Sequence, residues 1–420
     1  MTAAPVSSVP PASAGRSTLI YGLAAVGLGF SLPVTSAAID NLFVFLLLFA
    51  FIAGGQWHDK AARLRHSGTV LAITAFLVLA LLGTLWGYGS SGERARFFGK
   101  YAILLLPLCL IAFPLEEKYR RRAAIAFGSA IGLTVLLSFA IRAGLHFPEW
   151  LIRNQDAANP VVFKLHITHS FFVALGAFLF FVSALHARTP LWRWGLGAAS
   201  VVAVANLFTV QGRTGHLVLL VLVAYIFVHR FRWRGVVSAA ILLAGVGVIM
   251  SQLPNNPLVS RYSDGIKEIR EWQYGQNDRT SMGLRMQYAA TSLRIIAEHP
   301  LTGVGTGGFT EAYRQQIIGT EIAESNNPHN QYLLTTAQLG IPGLVVLLAL
   351  FVTLWRVASR LSPAEQLLAR GLLLAYGVGN LFNSFMLDHT EKVLFAWAIG
   401  LLYSGLPAAT NRDGQIASGR

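Results

Sequence analysis

Charge is what this sequence has least of. Of 420 residues only 12% are Asp, Glu, Lys or Arg, whereas soluble domains run near about 25%. A single cysteine, Cys109, sits inside an apolar run, which excludes a disulfide and a thiolate metal site and leaves structural zinc without its ligands. The surplus positive charge, +14, is nowhere gathered on one polar surface, so a nucleic-acid partner is not expected.

What is abundant is apolar: 54% hydrophobic residues, with 26 Phe, 9 Trp and 40 Gly. Length alone suggests two or three soluble domains. The apolar runs argue instead for one integral-membrane unit whose main solvent is lipid. They fall at about 17–35, 37–54, 68–88, 101–115, 123–144, 165–186, 194–210, 214–229, 235–252, 328–355, 366–386 and 391–408, each near the roughly 20 residues that cross a hydrocarbon core. The fold expected is all-α: a polytopic membrane protein of about twelve transmembrane helices with one large external loop. Residues 1–16, with Arg16 as their only charge, and the tail 409–420 are expected to be disordered. Ser36-Ala37-Ala38 imitates a signal-peptidase site, but so uncharged a leader favours an uncleaved first helix.

Lys and Arg concentrate in alternate connections: Lys60, Arg63 and Arg65; Lys118 with Arg120, Arg121 and Arg122; Arg188 and Arg193; Arg230, Arg232 and Arg234; Arg356 and Arg360. The positive-inside rule puts those connections and both termini in the cytoplasm. Residues 17–252 then hold helices one to nine, 253–327 form the external loop, and 328–408 hold the last three helices. The loop is balanced, seven Lys/Arg against eight Asp/Glu, so it folds against the membrane unit rather than acting as a basic arm. Within it, Gly283 to His299 has helical periodicity, Gly303 to Gly308 reads as a turn, and Phe309 to Ile318 as a second short helix. One outward connection breaks the charge rule. It carries Glu93, Arg94, Arg96 and Lys100, which either meet anionic headgroups or form a solvated loop.

Three residues stand out for chemistry. In Asn327-Pro328-His329-Asn330, Asn327 suits an N-cap and Pro328 a first helical position. His329 then sits in a first helical turn, where the helix dipole keeps imidazole neutral and able to accept a proton; the plainer alternative is a surface histidine closing a loop. Arg213, in Gln211-Gly212-Arg213, lies between two long apolar runs, where a guanidinium is costly and its fork suits phosphate oxygens, or else it snorkels at the interface. His216, at i+3 from it, is a reserve proton acceptor. Arg285, in Thr280-Ser281-Met282-Gly283-Leu284-Arg285, starts the loop helix, where an anion is favoured; alone it reads as an ion-pair partner of a loop acid. His166 and His169 resemble a ligand pair weakly and read better as packing histidines. The Gly303–Gly308 stretch lacks the preceding strand and following Lys-Ser/Thr of a phosphate loop.

Three segments, Gln211-Gly212-Arg213, Ser281 to Arg285 followed by His299-Pro300-Leu301-Thr302-Gly303-Val304-Gly305, and Pro328-His329-Asn330, resemble the O-antigen ligase and polymerase superfamily of bacterial envelope glycosyltransferases. The architecture is similar over most of the chain. The resemblance implies a GT-C-like glycosyltransferase of the inner membrane. It would move a glycan from undecaprenyl pyrophosphate to an acceptor on the periplasmic face, with no cofactor, metal or nucleotide sugar. It further implies that Arg213 and Arg285 hold the pyrophosphate and that His329 deprotonates the acceptor hydroxyl. Pyrophosphate leaves readily, so no protonating carboxylate pair is needed, and none is found.

Polymerases of this kind resemble proteins with two sizeable external loops. Here the connection 145–164 is short, which favours a ligase taking lipid A-core oligosaccharide, with Arg94, Arg96, Lys100, His169 and His216 as possible acceptor or phosphate contacts. Polymerase and protein O-oligosaccharyltransferase stay open. Transport of a lipid-linked glycan is the competing class, but carriers show matching halves and midplane charges, unlike this chain.

Overall fold

The computed structural model describes residues 12–65, 67–153, 155–252, 257–274 and 280–407. The expected tail and most of the expected disordered N-terminus lie outside them. Among the described residues all regular structure is helical, in seventeen α-helices. These are α1 (Ala12–Val34), α2 (Ala37–Ala53), α3 (Trp57–Leu64), α4 (Gly68–Leu82), α5 (Ser91–Tyr101), α6 (Leu105–Ala112), α7 (Glu117–Arg142), α8 (His166–Leu185), α9 (Pro190–Leu207), α10 (Arg213–Phe231), α11 (Trp233–Ser251), α12 (Pro257–Glu271), α13 (Ser281–Glu298), α14 (Phe309–Gln316), α15 (Gln331–Val357), α16 (Pro363–Gly379) and α17 (His389–Tyr403).

Every apolar run holds a helix, and α1 begins at Ala12, inside the stretch expected to be disordered. By length and composition six helical stretches can each cross a membrane: Gly15–Val34, Ser91–Ala112, Glu117–Arg142, His166–Leu185, Arg213–Phe231 and Gln331–Arg360. A seventh counts if α2 and α3, bent by 112°, form one span, and α4 is a shorter apolar helix. The chain is thus a multi-pass membrane protein. Lys100 and Arg96 do not ride on a loop as expected. Ser90 and Glu93 form a reciprocal capping box, which starts α5 there and makes it continuous with the apolar stretch ending at Ala112.

Contacts between distant segments sort the helix ends into two sets. At one end Arg63 Nε donates to Ile111 O (3.2 Å) and its Nη2 to Leu406 O (3.1 Å), Arg120 pairs with Glu365, and Tyr403 OH donates to Leu354 O (2.6 Å). At the other end Gln331 N donates to Asn380 O (2.8 Å), Lys164 Nζ to Thr35 O (2.6 Å) and Asn383 Nδ2 to Thr214 Oγ1 (3.2 Å). The segment carrying α13 and α14 folds against the second end.

The glycine-rich turn is buried rather than exposed, with Val304 and Thr306 at 0% exposure. Its position follows from a break in α15 at Gly340 (φ 68°, ψ −172°). Pro342 has no N–H, so Gln338 O loses its helical donor; Gly305 N replaces it at 2.8 Å, Val304 N serves Ala337 O at 2.8 Å, and Ile341 N turns to Pro300 O at 2.8 Å. Thr306 meanwhile closes the end of α4, its N donating to Gly83 O (2.9 Å) and its hydroxyl to Ala80 O (2.6 Å). A Cβ at Gly340 would lie 2.3 Å from Leu301 O, so both the positive φ and the close approach require glycine there. The turn therefore fixes the amphipathic α13 and α14 to the membrane helices.

Candidate active site

α13 starts where Thr280 caps it, its hydroxyl accepting from Gly283 N at 3.0 Å, and Glu268 of α12 accepts from Met282 N at 3.0 Å. Arg285 on the next turn is half-buried. No carboxylate pairs with it among the described residues, so the ion pair its sequence context suggested does not form there. Burial, with the Arg213 charge beside it, lowers its guanidinium below the usual value. Arg213 opens α10. Its Nη1 lies 3.1 Å from where a Cβ on Gly265 of α12 would stand, so the glycine leaves room for the guanidinium against that helix.

His329 is placed differently from its expected position in a first helical turn. Asn330, not Asn327, caps α15, accepting from Leu333 N at 3.0 Å, and His329 precedes the cap with φ 51°. Asn327 instead holds the turn from its inner side: its Oδ1 accepts from His329 N (2.9 Å) and from Ser384 Oγ (2.7 Å). The imidazole packs on Tyr288 of α13, ring centroids 5.7 Å apart. His329 is exposed at the bundle end; partial desolvation of its ring, then the charge of Arg285, pushes its pKa below the ordinary value, which favours the neutral ring near pH 7. The neutral state is the one argued from sequence, but its cause is desolvation and a neighbouring cation rather than a place within the helix.

Arg213, Arg285 and His329 thus come together, from α10, α13 and the turn before α15. The segment 380–388, which sequence reasoning did not single out, braces two of them. Asn380 and Leu381 carbonyls accept from Gln331 N and Asn330 Nδ2, Met386 N donates to Gln331 Oε1 (3.1 Å), and Asn383 reaches Thr214 beside Arg213. Its Asn383-Ser384 pair interrupting an apolar run was the available signal. At its end Asp388 is largely buried, which pushes its carboxyl up to about 6 while Lys100 and Lys392 pull it down.

The other expected contacts have different surroundings. His169 is 2% exposed, so it cannot touch an acceptor. Its Nε2 lies 3.2 Å from Asn206 Oδ1, and Asn206 Nδ2 donates to Ser138 Oγ (2.8 Å), tying α7, α8 and α9 together. Burying a polar group requires such a partner. Arg94 donates to Thr84 O at 2.8 Å and lies along the glycine-rich turn, which makes it a brace rather than an open contact. His216 packs on Phe208 with ring centroids 5.5 Å apart. Arg96 is exposed, and Lys100 lies over the Phe97 ring at 4.9 Å.

An all-helical membrane protein with two adjacent guanidiniums and an uncharged imidazole at one end has the parts to bind a multiply charged phosphate and accept a proton beside it. Residues 198–348, which carry all three groups, match the family model described as O-Antigen ligase. Over that segment the chain is similar to the O-antigen ligase family. It is also similar, at 23% identity over 266 residues, to an uncharacterized protein of Haemophilus influenzae, covering 60% of this chain and 63% of the relative. The chain thus spans somewhat less than two thirds of that relative's length. A solved chain from a study of structural coordination of polymerization and crosslinking by a peptidoglycan synthase complex aligns at 17% identity and a TM-score of 0.46, over 80% of this chain and 95% of that one.

Proposed function

We propose that the protein is an O-antigen ligase. It transfers a glycan from undecaprenyl pyrophosphate to a hydroxyl of lipid A-core oligosaccharide in lipopolysaccharide assembly, at the periplasmic face of the inner membrane. Arg213 and Arg285 bind the donor's pyrophosphate, whose two or three negative charges need about that many cations in a site of low dielectric. His329 takes the proton from the acceptor hydroxyl as its oxygen attacks the anomeric carbon. The bond from that carbon to pyrophosphate breaks, and the electron pair leaves on the phosphate oxygen held by the arginines. Base and leaving-group cations must lie on opposite sides of the sugar for in-line attack.

The observation that carries this reading is the shared site of two arginines without a carboxylate partner among the described residues for Arg285, beside a neutral His329. Arg96 and Lys100 lie at the same end and suit phosphates on the acceptor's lipid A or core. The short connection 145–164 supports a ligase over a polymerase.

The test is transfer by the purified full chain from a lipid-linked glycan to defined acceptors. Labelled product on lipid A-core, without added ATP, is expected. Elongation of free lipid-linked glycan alone would establish a polymerase instead, and labelling of a protein acceptor alone a protein glycosyltransferase. Labelling of a cysteine placed at 329 by an impermeant reagent in intact spheroplasts is expected; labelling only after lysis would reverse the topology.

A further inference from the structure

At the end of the bundle away from His329, Arg63, Ser67, Thr69, Arg360 and Tyr403 are among the residues lining a small recess of about 40 Å³. Its walls carry two guanidiniums and no carboxylate, and neither arginine is in an ion pair among the described residues. Arg63 is tethered, its Nε and Nη2 on the carbonyls of Ile111 and Leu406. That fixes the plane of the guanidinium while leaving its charge uncompensated. Arg360 follows the last turn of α15 and is exposed.

The third wall is the start of α4. The first amides of a helix lack partners within it and favour an anion. Ser67 Oγ takes that of Val70 at 3.4 Å, and Gly68 and Thr69 ahead of it line the recess. Thr69 is 2% exposed, and its hydroxyl has no hydrogen-bond partner among the described residues. A buried hydroxyl left unpaired is costly, and Thr69 is one of the residues that line the recess.

Its height relative to lipid is set by neighbouring elements. α3, which carries Arg63, is bent by 112° from α2 and so runs across the bundle end instead of along it. Trp57 at its start is 56% exposed, the arrangement of an interfacial helix with an aromatic anchor. The recess therefore opens at headgroup level, beside the ends of α4 and α15.

We propose that this recess binds the phosphodiester of an anionic phospholipid in the leaflet opposite the His329 site. The Arg63 and Arg360 guanidiniums neutralise the phosphate, and the Thr69 hydroxyl donates to one of its oxygens. The site is independent of the transfer reaction, and its test does not read transfer.

The full chain in phosphatidylcholine nanodiscs is titrated with phosphatidylglycerol, and bound lipid is counted by native mass spectrometry. One tightly held phosphatidylglycerol is expected. Arg360→Gln, at an exposed position that leaves folding intact, should weaken it about fivefold, from roughly 1 kcal/mol per arginine at a lipid surface. Thr69→Val, nearly isosteric, should weaken it about threefold to tenfold. Adding Arg63→Lys, which keeps the charge but loses the fork, should weaken it further. Unchanged affinity in both Arg360→Gln and Thr69→Val overturns the proposal. So does equal retention of phosphatidylcholine, or displacement of the lipid by inorganic phosphate at equal concentration, which would make the ligand a free anion.

Discussion

Arg120 and Arg285 are both half-buried arginines at an end of this bundle, and they differ in their company. Arg120 meets Glu365, and Lys118 beside it meets Glu116 at 2.7 Å. Arg285 meets another arginine and an imidazole. Paired charge at a helix end is compensated within the chain. Two adjacent cations in a desolvated recess repel one another, and a fold keeps that cost where an external anion removes it. On the proposed function, the difference is that between charges compensated inside the fold and a charge left for a bound anion.

The sharpest way to break this contrast is to remove the base. His329→Ala should lower transfer about 10²- to 10⁴-fold, the usual worth of general base catalysis, with the melting temperature little changed; a variant that transfers at full rate removes His329 from the mechanism. Next, Arg285→Ala and Arg213→Ala should each cost about 10²- to 10³-fold, comparable to loss of one transition-state donor, most visibly in kcat/KM for the lipid-linked donor. Unchanged rates at dilute donor would count against pyrophosphate binding.

The brace is the third target. Ser384→Ala removes the hydroxyl held on Asn327 Oδ1 and should slow transfer about tenfold through misplacement of His329, with kcat falling more than KM rises. Equal loss from Ser384→Ala and from a substitution at Arg120 would erase the distinction between the two ends.

The pH profile sharpens the comparison further. Because desolvation and Arg285 lower the His329 pKa in the free enzyme, the acid limb of kcat/KM, which reports that state, should lie below the ordinary imidazole value of about 6.5. The folded state resists protonation more than the unfolded one, so any stability linked to this group is full above about 6.5 and is lost as pH falls. Arg285→Ala should move that limb of kcat/KM upward; a limb that stays in place would mean the two groups do not interact. Smallest of all, Arg120→Ala should cost about 1 kcal/mol of stability or less and leave transfer unchanged.

Much of the helical layout was legible because lipid imposes a one-dimensional rule: a run of about 20 apolar residues must close its own backbone hydrogen bonds, and helix is the local way to do so. All twelve runs hold helix, and the basic connections tested by contacts, at Arg63 and Arg120, gather at one end. The start of α5 was missed because Arg94, Arg96 and Lys100 interrupt the hydropathy, although the Ser90-x-x-Glu93 capping box was readable. The His329 turn was misplaced by one cap. Asn327 and Asn330 are both plausible caps, and the choice between them rests on the carbonyls of Asn380 and Leu381 and on Ser384, far along the chain.

Sequence by itself determined that the chain lives in lipid, that its charges sit at helix ends, and which arginines and histidines were chemically out of place there. Each of those follows from the solvent a local segment meets. Tertiary structure alone decided that Arg213, Arg285 and His329 share one site, that His169 is spent on Asn206, and that the glycine-rich turn plugs the break in α15. Those outcomes depend on which buried polar groups find partners across the bundle, and that is a property of packing between segments that no single window of sequence contains.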